Sequence, residues 1–173
     1  DVTSHITMTA EDAHIFATSI YENLRVAKAS LTREEAMTSL QRAGLCEWID
    51  SLPDGIDTEI GSGATTVSGG ERRRLLMARA LLVPAPVMAV DEASEHLDGE
   101  TADRLMNTLL TPPPDRATLV VTHRLSALDQ ADQVLVVGRA QDGQCARVVA
   151  QGTHAHVLSC LPGYRWALDQ EEQ

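Results

Sequence analysis

The sequence predicts an α/β fold, with a parallel sheet in its second half preceded by a largely helical first half. Three observations carry this. "PVMAV" (86–90), "ATLVV" (117–121) and "QVLVVG" (133–138) are continuous apolar runs, and "GETADRLMNTLL" (99–110) is a helical segment between the first two. Strand, helix, strand is the order of a parallel unit, and uninterrupted apolar runs read as strands buried on both faces. Upstream, apolar residues recur with a helical period over about 17–52 and again over 71–82.

Taken in order, "SHITMTAEDAHIF" opens with a short Ile/Thr/Met strand that breaks into polar residues at Glu11-Asp12. In "TREEAMTSLQRAGLCEWI", Thr32 is an N-cap candidate with Glu35 three residues on, and Ala36, Leu40, Ala43 and Leu45 follow a helical repeat. "SLPDGIDTEIGSGATT" is loop. "ERRRLLMARALL" is a helix with Leu75, Leu76, Ala80 and Leu82 as its apolar positions, stopped by Pro84. The tail "ARVVAQGTHAHVLS" reads as a hairpin strand entering a terminal helix.

With 173 residues and 43% hydrophobic content, one core and a single globular unit are expected. The formal charge of −11 argues against a face that binds nucleic acid. Three cysteines without a C-x-x-C suggest neither a disulfide framework nor a zinc site, and fit a reducing compartment. No apolar run is long enough to span a membrane, and no signal-peptide pattern opens the chain. A first residue that is Asp1 rather than Met raises the expectation of a piece of a longer protein.

Candidate chemistry starts at "TVSGGERRR" (66–74). Ser68, Gly69 and Gly70 let backbone N–H groups approach an anion at the start of a helix, whose N-terminus favours negative charge. Yet the sequence has no Gly-Lys pair, so it holds no G-x-x-x-x-G-K-[ST] phosphate loop. Asp91-Glu92 end one predicted strand and His123 the next, so they should share the crevice at the strands' carboxyl ends. A carboxylate holding Mg²⁺ through water, a second that activates water and an imidazole on a terminal phosphate form a nucleotide-hydrolysis set. His154 and His156 form an H-x-H without an accompanying ligand cluster, and Trp48 and Trp166 read as helix packing.

"VSGGERRRLLMARALL…PVMAVDEASEHLD…ATLVVTHR" resembles, in order and spacing, the nucleotide-binding domain of ATP-binding-cassette (ABC) transporters, over about residues 7 to 158. The resemblance implies an incomplete RecA-like P-loop NTPase core with the α-helical ABC signature subdomain. About 17–82 would form that subdomain, and about 83–158 the core. Val67 to Glu71 correspond to the signature, Val87 to Glu92 to the Walker B strand, Ser94 to Asp98 to the D-loop and His123 to the switch histidine. On that footing Glu92 and His123 are catalytic, Ser68, Gly69, Gly70, Glu71 and Asp98 contact nucleotide, and Asp91 and Glu11 hold Mg²⁺, with ATP as the other cofactor. Glu11 stands where the family has glutamine; it can ligate through oxygen but cannot donate an amide hydrogen bond.

In this family the signature turn of one cassette caps the γ-phosphate held by the Walker A loop of another, which explains a phosphate turn without its lysine. The family's Walker A loop would lie upstream of these residues, so the isolated chain is expected to be inactive as an ATPase. "EDAHIF", "YENLR", "PDGIDTEIG" and "QGTHAHVL" are similar to segments of exporter-type cassettes, and "AEDAHIF…GGERRR…EHLD" looks most like the CydC family. That likeness implies export of cysteine and glutathione for cytochrome bd assembly, a heterodimer with a CydD-like subunit, a transmembrane domain on the same polypeptide and the cytoplasmic face of the bacterial inner membrane. The alternative is a non-catalytic half-cassette that donates its signature to a partner's ATP site.

Overall fold

The computed structural model describes residues 5–9, 13–61, 65–94, 97–139 and 145–171. They fall into two compact bodies, Asp1–Val121 and Thr122–Gln173, where composition predicted one.

In the first body the helical half comes from α1 (Ile20–Arg25), α2 (Arg33–Arg42), α3 (Cys46–Ser51) and α4 (Gly69–Leu82). Thr32 caps α2 as its spacing predicts. Its hydroxyl accepts from the Glu35 N–H, and the Glu35 carboxylate accepts from the Thr32 N–H in return. Gly44, at φ 69, ends α2 in a left-handed turn that an L side chain would strain. Two short strands, β2 (Thr18–Ser19) and β3 (Glu59–Ile60), pair antiparallel beside the helices. Their close approach requires Gly61, at φ 104, because a Cβ there would sit 3.0 Å from the Ala17 Cα. Ile20, Leu24, Leu40, Leu45, Ile60 and Leu75 are fully buried at the centre. Each contributes about 1.5–3 kcal/mol by leaving water. The apolar stripe of α4 is wider than its period predicts, since Met77, Ala78 and Leu81 are buried as well.

The sheet of this body is parallel, in the order β1 (Ile6–Met8), β4 (Val87–Asp91), β5 (Ala117–Val121). Met8 lies opposite Ala89, which lies opposite Leu119. Helix α5 (Gly99–Leu110) packs against β5 and buries Ala102, Leu105, Met106 and Leu109. The expectation of strands buried on both faces is corrected here. Met88 and Val90 are 1% exposed, whereas Met8, Leu119 and Val121, on the opposite face, are more than half exposed. Among the described residues, helices cover one face of this sheet only.

The second body corrects the reading of "QVLVVG". That run forms β6 (Val134–Arg139), which pairs antiparallel with β7 (Ala146–Gly152) rather than extending the parallel sheet. Apolar character alone does not name a strand's neighbour. The tail does form a hairpin strand entering a helix: Thr153 caps α6 (His154–Cys160), followed by α7 (Pro162–Glu171). Trp48 packs partly buried against the helical core as expected, but Trp166 is 66% exposed.

Candidate functional site

The phosphate-type turn is the N-terminus of α4, and the local sequence explains its geometry. Ser68 is extended (φ −66, ψ 162), and its hydroxyl accepts from the Glu71 N–H at 3.3 Å. The Glu71 carboxylate accepts from the Ser68 N–H at 2.7 Å, completing a capping box. A helix start leaves four backbone donors without intrahelical partners. The box satisfies those of Ser68 and Glu71, leaving the donors of Gly69 and Gly70. Among the described residues, neither glycine donor finds an acceptor. Among the described residues a Cβ on either glycine would meet nothing within 4 Å, so packing against them does not explain why these positions are glycine. In a helix each costs up to about 1 kcal/mol relative to alanine. The turn therefore offers two donors on the positive end of a 14-residue helix to an incoming acceptor. A cavity of about 210 Å³ lies beside it, lined by Ile15, Gly61, Thr65, Thr66, Val67 and Arg72.

Helix α4 is held along its length by arginines. Arg72 donates to the Ala13 carbonyl at 2.6 Å. Arg79 donates to the carbonyls of Asn23 and His14 at 3.0 and 2.8 Å and to the Asn23 side-chain oxygen at 3.0 Å. Burial lowers the Arg79 pKa from its usual range, with Arg72 adding to the effect. Arg116 closes the other end of the helix, donating to the carbonyls of Leu81, Val83 and Ala85. These ties span 31 to 65 positions in the chain, beyond any local pattern.

At the end of β4, Asp91 is exposed and Glu92 is half-buried. Among the described residues Glu92 is the non-glycine residue with positive φ, at 46°, while its N–H still donates to the Val121 carbonyl at 2.9 Å. The chain thus leaves the sheet through a left-handed residue that costs on the order of 1–3 kcal/mol. Such strain collects where a side chain must be aimed. Asp91 pairs in register with Val121, so β4 and β5 end together.

Asp98, exposed, caps α5 by accepting from the Thr101 N–H at 3.0 Å. That backbone bond is the main cause of its lowered pKa. His123 is exposed and follows β5 by two residues; it belongs to the second body. Glu11, Glu95 and His96 lie outside the described residues. His154 and His156 stand on a helix, where their spacing splays them apart, and the His154 Nδ1 meets the Tyr164 hydroxyl at 2.9 Å. Among the described residues no three potential ligands gather to hold a metal, and no helix is long and apolar enough to cross a membrane.

Residues 1–95 match the family model "ABC transporter". The chain is 35% identical over 156 residues to the ATP-dependent lipid A-core flippase of Vibrio cholerae, covering 90% of this chain and 26% of that protein. It is 37% identical to the flippase of the same name from Pseudomonas aeruginosa, again over 90% of this chain and 25% of that protein. The chain therefore spans about a quarter of the length of these relatives. A solved structure described as a bacterial Atm1-family ABC exporter with ATP bound superposes with a TM-score of 0.80 at 28% identity, over 98% of this chain and 29% of that one. With this geometry and these matches, the chain belongs to the ABC transporter family, on its exporter branch.

Proposed function

We propose that these residues form the part of an exporter's ATPase that supplies the signature turn, the Walker B carboxylates and the switch histidine. The carrying observation is Glu92: a half-buried carboxylate in left-handed conformation at the end of a parallel strand, next to an exposed aspartate. Glu92 is the general base in this reading, His123 faces the terminal phosphate, and Ser68, Gly69 and Gly70 receive phosphate oxygens. Glu71 and Asp98 act through the helix starts they cap. About 17–82 would be the signature subdomain and about 83–158 the core.

The donors present fit Mg-ATP. Asp91 offers an exposed carboxylate of the kind Mg²⁺ binds through water, and the two glycine N–H groups suit anionic oxygens. Glu11 would be the second oxygen ligand. Bound Mg²⁺ would neutralise phosphate charge. The sequence contains no Gly-Lys pair, so the phosphate loop must come from outside these 173 residues, and alone they should hydrolyse nothing.

The test is Glu92→Gln in the intact polypeptide: nucleotide binding persists and turnover falls by about 10²-fold or more. Unchanged turnover refutes the assignment. The uncapped glycine donors also favour a second arm, in which this chain serves a partner's nucleotide and is itself non-catalytic. In that case Ser68→Ala slows the partner while Glu92→Gln does not. For the cargo, the relatives' name points to lipid A-core, whereas thiol export with a CydD-like partner rests on the CydC likeness alone. Reconstituted transport of each cargo, at the cytoplasmic membrane face the exporter branch implies, decides between them.

A further inference from the structure

We infer that Glu171, at the end of α7, is the positioning residue that sets the placement of His123. The inference rests on the reading of His123 as the phosphate-facing imidazole. Both residues lie in the second body. After His123 the chain turns through Arg124, Leu125 and Ser126 before a short 3-10 helix at Leu128–Gln130. The backbone donors of Leu125 and Ser126 go to a single carboxylate.

Leu125 N–H donates to Glu171 Oε2 at 2.6 Å, and Ser126 N–H reaches the same oxygen at 3.3 Å. The Ser126 hydroxyl donates to Oε1 at 2.8 Å, and the Arg124 Nε stands 3.9 Å from that oxygen. On the other side of His123, the Arg124 N–H donates to the Thr122 hydroxyl at 3.0 Å. The histidine therefore sits in a turn whose flanking residues are fixed while its own ring stays exposed.

The partner carboxylate is 45 to 46 positions away, so more than turn closure is at stake. A serine can cap a turn locally, yet the Ser126 hydroxyl donates to Glu171. The side chains of Glu171 and Arg124 are 23% and 25% exposed, and bonds to an ionised carboxylate are stronger than neutral ones. Helix α7 is itself anchored, because Tyr164 near its start is 6% exposed and its hydroxyl meets His154. A rod about 15 Å long, by its ten residues, thus carries the carboxylate to the turn.

The experiment measures Mg-ATP hydrolysis by the intact polypeptide. Displacing a group by about 1 Å costs up to about 100-fold. Glu171→Ala should lower kcat by about 10-fold to 100-fold with KM for ATP within about 2-fold, and Glu171→Gln, which keeps the acceptor but not the charge, should lose less. In Glu171→Gln the His123 imidazole NMR signals should shift while those of His14 stay. Parental kcat in both Glu171 variants, with His123→Ala inactive, overturns the positioning role and leaves the reading of His123 standing. Parental turnover in His123→Ala overturns that reading instead. If Glu171→Ala does not fold, Glu171→Gln carries the test, and an unmoved His123 signal with unchanged kcat overturns the inference.

Discussion

Asn23→Ala should destabilise the first body by about 3 kcal/mol, and the bond inventory shows why. Asn23 is fully buried. Its amide NH₂ donates to the carbonyls of Phe16 and Ser19, both at 3.0 Å, and its oxygen accepts from the Phe16 N–H at 2.9 Å and from Arg79 at 3.0 Å. Three neutral bonds at about 1 kcal/mol each and one charged bond at about 1.5–3 sum to about 5 kcal/mol. Water reaching the part-buried backbone at Phe16 recovers some of this, leaving about 3. Urea unfolding followed by Trp48 fluorescence reads the right region, because Trp48 packs on that helical core. Asn23→Asp sharpens the test: a carboxylate keeps the Arg79 and Phe16 N–H bonds but turns an oxygen toward two carbonyls. It should destabilise about as much as alanine. A change below about 0.5 kcal/mol in the alanine variant, or a stabilised aspartate variant, would refute the view that the two donated bonds hold residues 16–19.

Arg116→Ala should cost about 2–3 kcal/mol by releasing three carbonyls at the end of α4, and Arg116→Lys should not restore it, because one ammonium cannot meet acceptors spread over Leu81, Val83 and Ala85; equilibrium unfolding checks both. Gly69→Ala and Gly70→Ala should leave stability unchanged or raise it by up to about 1 kcal/mol, since space is open at both. If the turn meets phosphate, the same variants should slow ATP turnover in the intact polypeptide, and parental turnover would argue against the contact. The Asp57 carboxylate, in a two-bond pair with Arg33, is held below the ordinary aspartate range chiefly by the Arg33 hydrogen bonds. A lowered folded-state pKa gives stability present above the unfolded value and lost as pH falls through the folded one. The advantage of the parent over Asp57→Asn should therefore hold at neutral pH and vanish in acid; both groups are exposed, so salt should shrink it.

Features set by near neighbours are legible in the sequence: the Thr32–Glu35 box, the stop at Pro84, helices α4 and α5 and strands β4 and β5; the short β2 and β3 fall in stretches that read as helical and as loop. The Ser68–Glu71 box has the same spacing, and it leaves the Gly69 and Gly70 donors without an acceptor among the described residues. What stayed hidden is long-range. An apolar run says that a strand is wanted but not who its neighbour is, so "QVLVVG" gives no sign that it pairs antiparallel with β7. Likewise the Arg79–Asn23 and Glu171–Ser126 ties join positions 56 and 45 apart, and no periodicity marks them. Glu92 stands out in the sequence by its place after a strand, whereas its left-handed backbone carries no local sequence mark.

These long-range ties bear on how a short turn can serve as a binding element. Two N–H groups at a fraying helix end would gain little from an anion, because ordering them on contact costs most of what the bonds return. Here the ordering is done in advance. The capping box fixes the first turn of α4, Arg72 and Arg79 fix its body to residues 13, 14 and 23, and Arg116 fixes its end. Any shift in the turn must drag the backbone of 13–16 with it, and the reverse holds equally. Preorganised donors of this kind favour a charge that develops at a fixed place. If the turn receives phosphate as proposed, loosening Arg79 should therefore weaken that contact, although among the described residues its head group hydrogen-bonds to residues 14 and 23.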